Sequence, residues 1–230
     1  MFCACCGDSD RNNDTQTVVM KAVLDNSLGE DPGLACRSLT EFRAALEKPD
    51  PDSIIGLFFD ALDGRTLRIT GVVAESSTPV SSYNASCDFD RQLAVGDYII
   101  QVNSICEDSS LMVQELRAKT EVDLVMRRPY EFTITIEHKG DDEPLGLLLT
   151  YISTIQALVI REVSVGPVEA WNRANPDKHV RRFDRIVAVN GESSNAQDMV
   201  PKLSAEGAID LLINRPADPI AMSDTQDNAQ

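Results

Sequence analysis

The chain has 230 residues, 43% of them hydrophobic, with 37 acidic against 21 basic side chains and a formal net charge of −16. That length allows one or two domains with a sizeable core. The acidic balance argues against nucleic-acid binding and against a polybasic membrane patch.

The N-terminus reads MFCACCG. Asp8, Asp10, Arg11 and Asp14 sit where a signal peptide would carry its apolar region. No apolar stretch reaches the roughly 18–20 residues of a transmembrane helix. A cytoplasmic chain is expected, with Cys3, Cys5, Cys6, Cys36, Cys87 and Cys106 reduced. Phe2 excludes N-myristoylation, so Cys3, Cys5 and Cys6 are candidate S-acylation sites that would place the chain on the cytoplasmic face of a membrane. The alternative is a thiol-based metal-handling or redox site on the same three cysteines. However, C-x-C-C lacks the spacing of a closed zinc site. Residues 15–28, TQTVVMKAVLDNSL, fit a short amphipathic helix or an extra strand equally.

Residues 37–48, RSLTEFRAALEK, look helical when read alone, because Leu39, Phe42, Ala45 and Leu46 fall near helical spacing and Ala, Glu and Lys favour helix. An internal repeat decides otherwise. EFRAALE lies over EFTITIE (131–137) at an offset of 90, and SIIGLFF (53–59) lies over EPLGLLL (143–149) at the same offset. TLRITGVV (66–73) lies over ALVIREVS (157–164), and PVSSYN (79–84) over PVEAWN (167–172). GDYIIQVNS (96–104) lies over FDRIVAVNG (183–191) at an offset of 87, which holds through LVMRRP and LLINRP. Two copies of this size are a duplicated domain rather than a solenoid. The counterpart EFTITIE alternates as a strand does, so 41–47 is expected to be a strand.

The second copy gives the element order. EFTITIEH, LGLLLTYI and ALVIREV are strands, and GPVEAWNRA is a short helix with Pro167 in its first turn. DRIVAVNG is a strand entering an Asn-Gly turn. AQDMVPKLSAEG is expected as a helix capped by Gly207, with Pro201 awkward inside it. AIDLLINR closes the order β-β-β-α-β-α-β, with room for one extra short strand after the Asn-Gly turn.

This order, with a glycine loop entering the second strand, resembles the PDZ domain, whose hallmark is a carboxylate-binding loop of the form Gly-Leu-Gly-Phe. The matching residues are Ile54-Ile55-Gly56-Leu57 and Pro144-Leu145-Gly146-Leu147, each preceded by a basic residue, Lys48 or Lys139. The resemblance implies an α+β fold: two small five-to-six-stranded, mostly antiparallel sandwiches or partly open barrels, each with two helices. It places the divergent first domain at 39–129 and the second at 131–216. The Cys-rich segment and linker then occupy 1–38, and a disordered tail 217–230. It also implies a non-enzymatic adaptor or scaffold. Loop N–H groups would nest the C-terminal carboxylate of a partner peptide, and that peptide, or an internal one, would add as a strand beside the second helix.

Strand periodicity assigns the pocket for the last ligand side chain. In the second copy it is Leu145, Leu147 and Leu149 with Val200 and Leu203. In the first it is Ile55, Leu57 and Phe59 with Val113 and Leu116. Both sets are apolar, so an apolar terminal ligand residue is expected. Many family members begin the second helix with a histidine that bonds a ligand Ser or Thr. Here Ala196 and Ser109 stand at that position, which removes the basis for such a preference. The first copy also has Ser104 where the turn glycine would be and a longer loop containing Cys87. The two histidines, His138 and His179, support no catalytic triad, and no metal or cofactor motif is present. A third possibility is oligomerisation through exposed second-strand edges.

Overall fold

The computed structural model describes residues 40–74, 77–140, 144–153 and 155–217. The expectations for the N-terminal cysteines, for residues 15–28 and for most of the C-terminal tail fall outside these residues.

In the first copy, β1 (Glu41–Glu47), β2 (Leu57–Asp60) and β3 (Leu67–Val72) precede α1 (Pro79–Ser86). Then come β4 (Tyr98–Val102), β5 (Ile105–Cys106), α2 (Ser109–Ala118) and β6 (Glu121–Arg127). In the second copy, β7 (Pro129–Lys139), β8 (Leu147–Thr150) and β9 (Leu158–Val163) precede α3 (Pro167–Ala174). Then come β10 (Arg185–Val189), α4 (Ala196–Lys202) and β11 (Glu206–Pro216). The extra short strand therefore forms in the first copy. The second has only an isolated bridge between Val189 and Glu192 there.

The locally helical segment 41–47 is a strand whose residues alternate exposed and buried and pair with β6 along their whole length. Phe42, Ala44 and Leu46 enter the core, and no helix could put those three on one side while Arg43 and Ala45 between them face water. The sheets run β1-β6-β4-β3-β2 and β7-β11-β10-β9-β8, all antiparallel, with β5 on β4. Neither sheet closes, and β2 and β8 are edge strands. Each sheet carries its own apolar cluster. Phe42, Ile99, Met112, Leu116 and Leu124 of one are the counterparts of Phe132, Ile186, Met199, Leu203 and Leu211 of the other.

The end of the second copy departs from expectation. α4 stops at Lys202, and Gly207 is no helix cap. Gly207 lies in β11, opposite His138 of β7. Pro201 is the cause, since it supplies no N–H and crowds the preceding turn, so the helix ends one residue after it. The shortened helix leaves Glu206 and Gly207 to extend the ladder with β7.

Three polar clamps recur in both copies. Arg128 pairs with Asp97 and lies over the Phe42 ring at 4.3 Å, while Arg215 pairs with Asp184 and lies over Phe132 at 4.8 Å. Asn84 exchanges two hydrogen bonds with the backbone of Leu93, as Asn172 does with Val180. Asn103 and Asn190, both at positive φ, bind the backbones of Asp123 and Asp210 with N–H and side-chain oxygen.

The copies are joined by more than the chain. Only Arg128 lies between β6 and β7, and it is held by Asp97 and the carbonyls of Asp90 and Gln92. Arg185 of β10 is 0% exposed and reaches Asp60 at 2.9 Å and Asp63 at 3.1 Å, both in the first copy. Its guanidinium lies over Tyr98 at 5.0 Å, and the Tyr98 hydroxyl donates to Asn214. Arg161 donates to the Leu62 carbonyl at 2.7 Å. Burial opposes the charge on Arg185. Tyr98, Asp60 and Asp63 outweigh it, so its pKa is raised and the guanidinium stays charged. Burial likewise pushes the Tyr98 phenol up.

Candidate functional site

The glycine loops are built alike. In the first, the Ile55 carbonyl accepts from Val80 N–H at the start of α1, and the Gly56 carbonyl accepts from Val73 N–H. In the second, the Leu145 carbonyl accepts from Val168 N–H at the start of α3, and the Gly146 carbonyl from Ser164 N–H. The carbonyls are thus fixed inward in both. The N–H groups of Ile55, Gly56, Leu145 and Gly146 donate no hydrogen bond among the described residues. Each loop leads directly into an edge strand, β2 or β8.

The glycines are required by what their loops pack against. Gly56 has φ +97°, and a Cβ there would lie 2.4 Å from Thr78 Oγ1. Gly146 has φ +78°, and its Cβ would lie 2.7 Å from the Ser164 carbonyl oxygen. The loop is pressed against the segment that opens the following helix. In the first copy that segment carries a capping box, in which Thr78 and Ser81 cap each other's backbone.

The apolar residues expected in the pockets fall on one side of each edge strand. Leu147 and Leu149 are half-buried against the cluster that holds Leu145 and Leu203, with Val200 packed on it, while Leu148 between them is 58% exposed. In the first copy Ile55, Leu57 and Leu116 belong to the core cluster, with Phe59 and Val113 packed against it. The copies differ at one place. Leu57 is 5% exposed, whereas Leu147 stays half-exposed, so the crease after the loop is more open in the second copy. Ala196 and Ser109 are buried first residues of their helices and offer no imidazole.

The two lysines do different things. Lys48 is 3% exposed, and its ammonium donates to the carbonyls of Pro51, Leu116 and Arg117 at 2.6, 3.0 and 3.1 Å. It satisfies the C-terminal carbonyls of α2, where a cation is favoured, and has no proton left for a ligand carboxylate. The expectation that Lys48 binds peptide is corrected accordingly. Its position ahead of the loop gave no hint of this, because the helix it caps lies almost seventy residues away. Lys139 is exposed and lines a hollow of about 380 Å³ between β7 and α3, with Trp171 and Pro167.

Each half of the chain is PDZ-like in fold. The element order, the inward-pinned glycine loop and the edge strand beside the second helix occur twice, in that sequence. No family model and no curated relative matches the chain. Among solved structures, it is similar to the structure of INAD PDZ45 in complex with NG2 peptide. That match is 18% identical, covers 90% of this chain and 99% of the other, and has a TM-score of 0.34. It is also similar to the complex structure of INAD PDZ45 and NORPA CC-PBM, at 17% identity, 80% and 95% coverage, and a TM-score of 0.35.

Among the described residues no group of three or more His, Cys, Asp or Glu could hold a metal, and no helix is long and apolar enough to cross a membrane. Cys87 and Cys106 are free thiols, and burial raises the pKa of Cys87. The interdomain groups Arg185, Asp60 and Asp63 were missed in the sequence. Their only signal is that Arg185 replaces the Tyr98 of the first copy inside an otherwise apolar strand.

Proposed function

We propose that the chain is a non-enzymatic adaptor whose PDZ-like grooves bind C-terminal or internal peptides by strand addition. The observation that carries this reading is the repeated loop geometry. Two successive N–H groups without a partner stand at the start of an edge strand, next to an apolar crease. A carboxylate placed there would accept bonds from a backbone nest, and the peptide would continue as a strand along β8 or β2. The lining favours Val, Leu, Ile or Phe as the last ligand residue. The second copy is the stronger reader, because Leu57 is sealed in the core while Leu147 is not.

S-acylation of Cys3, Cys5 and Cys6 would hold these grooves at a membrane. Release of a lipid-modified form by hydroxylamine in wild type, and its loss when the three cysteines become serine, tests that part.

The grooves are tested by titrating the whole chain with a C-terminal peptide library in free-acid and amidated forms. Binding that needs the free acid, and that falls about tenfold or more in Leu147→Asp, supports the reading. Equal binding of acid and amide forms would redirect it to internal peptides. An absence of binding by both would overturn it.

A further inference from the structure

A cleft of about 440 Å³ lies between the two copies, within the usual range for small-ligand sites. Five arginines line it (Arg65, Arg127, Arg181, Arg182 and Arg215) against three carboxylates, Asp63, Glu107 and Asp184. In a chain of net charge −16 this concentration of guanidinium groups runs against the overall composition. The carboxylates are matched. Asp63 faces the buried Arg185, Glu107 pairs with Arg65, and Asp184 pairs with Arg215 at 2.7 Å and with Arg181 at 3.9 Å, while Arg127 pairs with Glu41 outside the cleft. Arg182 is exposed and has no carboxylate partner among the described residues.

The second observation is Phe183, at the centre of this group. It has φ 74°, a left-handed conformation that is strained for a bulky residue. The first copy puts Gly96, φ +94°, at the same place. The surrounding turn is otherwise the same. Gly96 N–H donates to Ile69, and Phe183 N–H to Ile160. Asp97 and Asp184 each accept from the residue three before them. The turn therefore has no need of a side chain at this position. The phenyl ring it carries lies under two guanidiniums, Arg65 of the first copy at 5.2 Å and Arg182 at 4.5 Å. The ring thus attracts one cation from each copy at the edge of the cleft.

We propose that this cleft binds a phosphate ester, with Arg182 and Arg65 donating to the phosphate and Phe183 forming an apolar wall for the group that carries it. Guanidinium forks match phosphate oxygens in pairs, which is why arginine rather than lysine fits this role. The phosphate belongs to a small molecule or to a phosphorylated side chain, and the site is independent of the peptide grooves.

The test is calorimetric titration of the whole chain with inorganic pyrophosphate and with phenyl phosphate at low and at physiological salt. Saturable binding is expected, weakened at the higher salt and by about tenfold or more in Arg182→Gln. Tighter phenyl phosphate than pyrophosphate would indicate an aryl phosphate such as a phosphorylated tyrosine, and the reverse order a phosphoanhydride. Phe183→Gly, which removes the ring and relieves the backbone, should unfold at the same or a higher denaturant concentration and bind phenyl phosphate several-fold more weakly. Two results would overturn the proposal. One is no saturable binding by wild type. The other is affinities unchanged in Arg182→Gln, together with a Phe183→Gly variant that loses stability but not anion binding, which would make the ring a filler between the copies.

Discussion

At the scale of single residues, the two loop glycines illustrate a rule and its limit. Their matching places in the repeat marked them in the sequence, and both sit at positive φ, where glycine is favoured. Their reason could not be read there, because the atoms they make room for, Thr78 and the Ser164 carbonyl, lie some twenty residues along the chain. Gly146→Ala is expected to cost about 1–3 kcal/mol in urea unfolding, since strain and overlap with a carbonyl add together. Gly64→Ala, at φ +77° with nothing within 4 Å, should cost only about 1–2 kcal/mol, the backbone penalty alone. Asp50 supplies a pH-dependent case. Ser53 donates to its carboxylate at 2.7 Å, and this bond holds the Asp50 pKa below the ordinary value. The stabilisation it gives the approach to the first loop is present above the unfolded carboxylate value and is lost as pH falls through the folded one. In Ser53→Ala the Asp50 pKa should rise, which a carboxyl-carbon NMR titration would record.

At the scale of elements, tertiary context overrode local propensity twice. The segment 41–47 has helix-forming residues but becomes β1, because its alternate side chains complete a core under β6. Alignment with the Thr- and Ile-rich EFTITIE exposed this, so the strand was legible only through the repeat. The end of α4 was misread because Gly207 looked like a helix cap, and Pro201 stops the helix first. Lys48 joins elements that the sequence keeps apart, tying the residue after β1 to the last turn of α2. Lys48→Met would leave three buried or half-buried carbonyls without their donor. It is expected to cost about 1–3 kcal/mol in unfolding, with little change in peptide preference. A loss of peptide binding at unchanged stability would mean that the ammonium serves the ligand after all.

At the scale of the whole molecule, the fold of each half was legible and the joint between them was not. The repeat, the loop and the turn gave the architecture, because they are local patterns of glycine, asparagine and alternating apolar residues. The buried Arg185 with Asp60 and Asp63 is a contact across about 125 residues, and no local pattern announces it. Arg185→Met is expected to destabilise the chain by about 3–5 kcal/mol, because two carboxylates would stay buried without their cation. For the same reason each half expressed alone should unfold at lower urea than the tandem. Equal stability of the separate halves would show that the joint contributes nothing. A joint of this kind also fixes the spacing of the two grooves, so a partner with two tails gains avidity only at a matching separation.

In the function proposed here the unpartnered loop N–H groups receive a peptide carboxylate. The most direct measurement is the amide spectrum of the ¹⁵N-labelled whole chain during addition of a free-acid peptide ending in an apolar residue. Leu145, Gly146 and Leu147 are expected to shift most, downfield and saturably, with Ile55, Gly56 and Leu57 following more weakly. The amidated peptide should move them far less. Largest shifts elsewhere, or the same shifts from acid and amide, would contradict it.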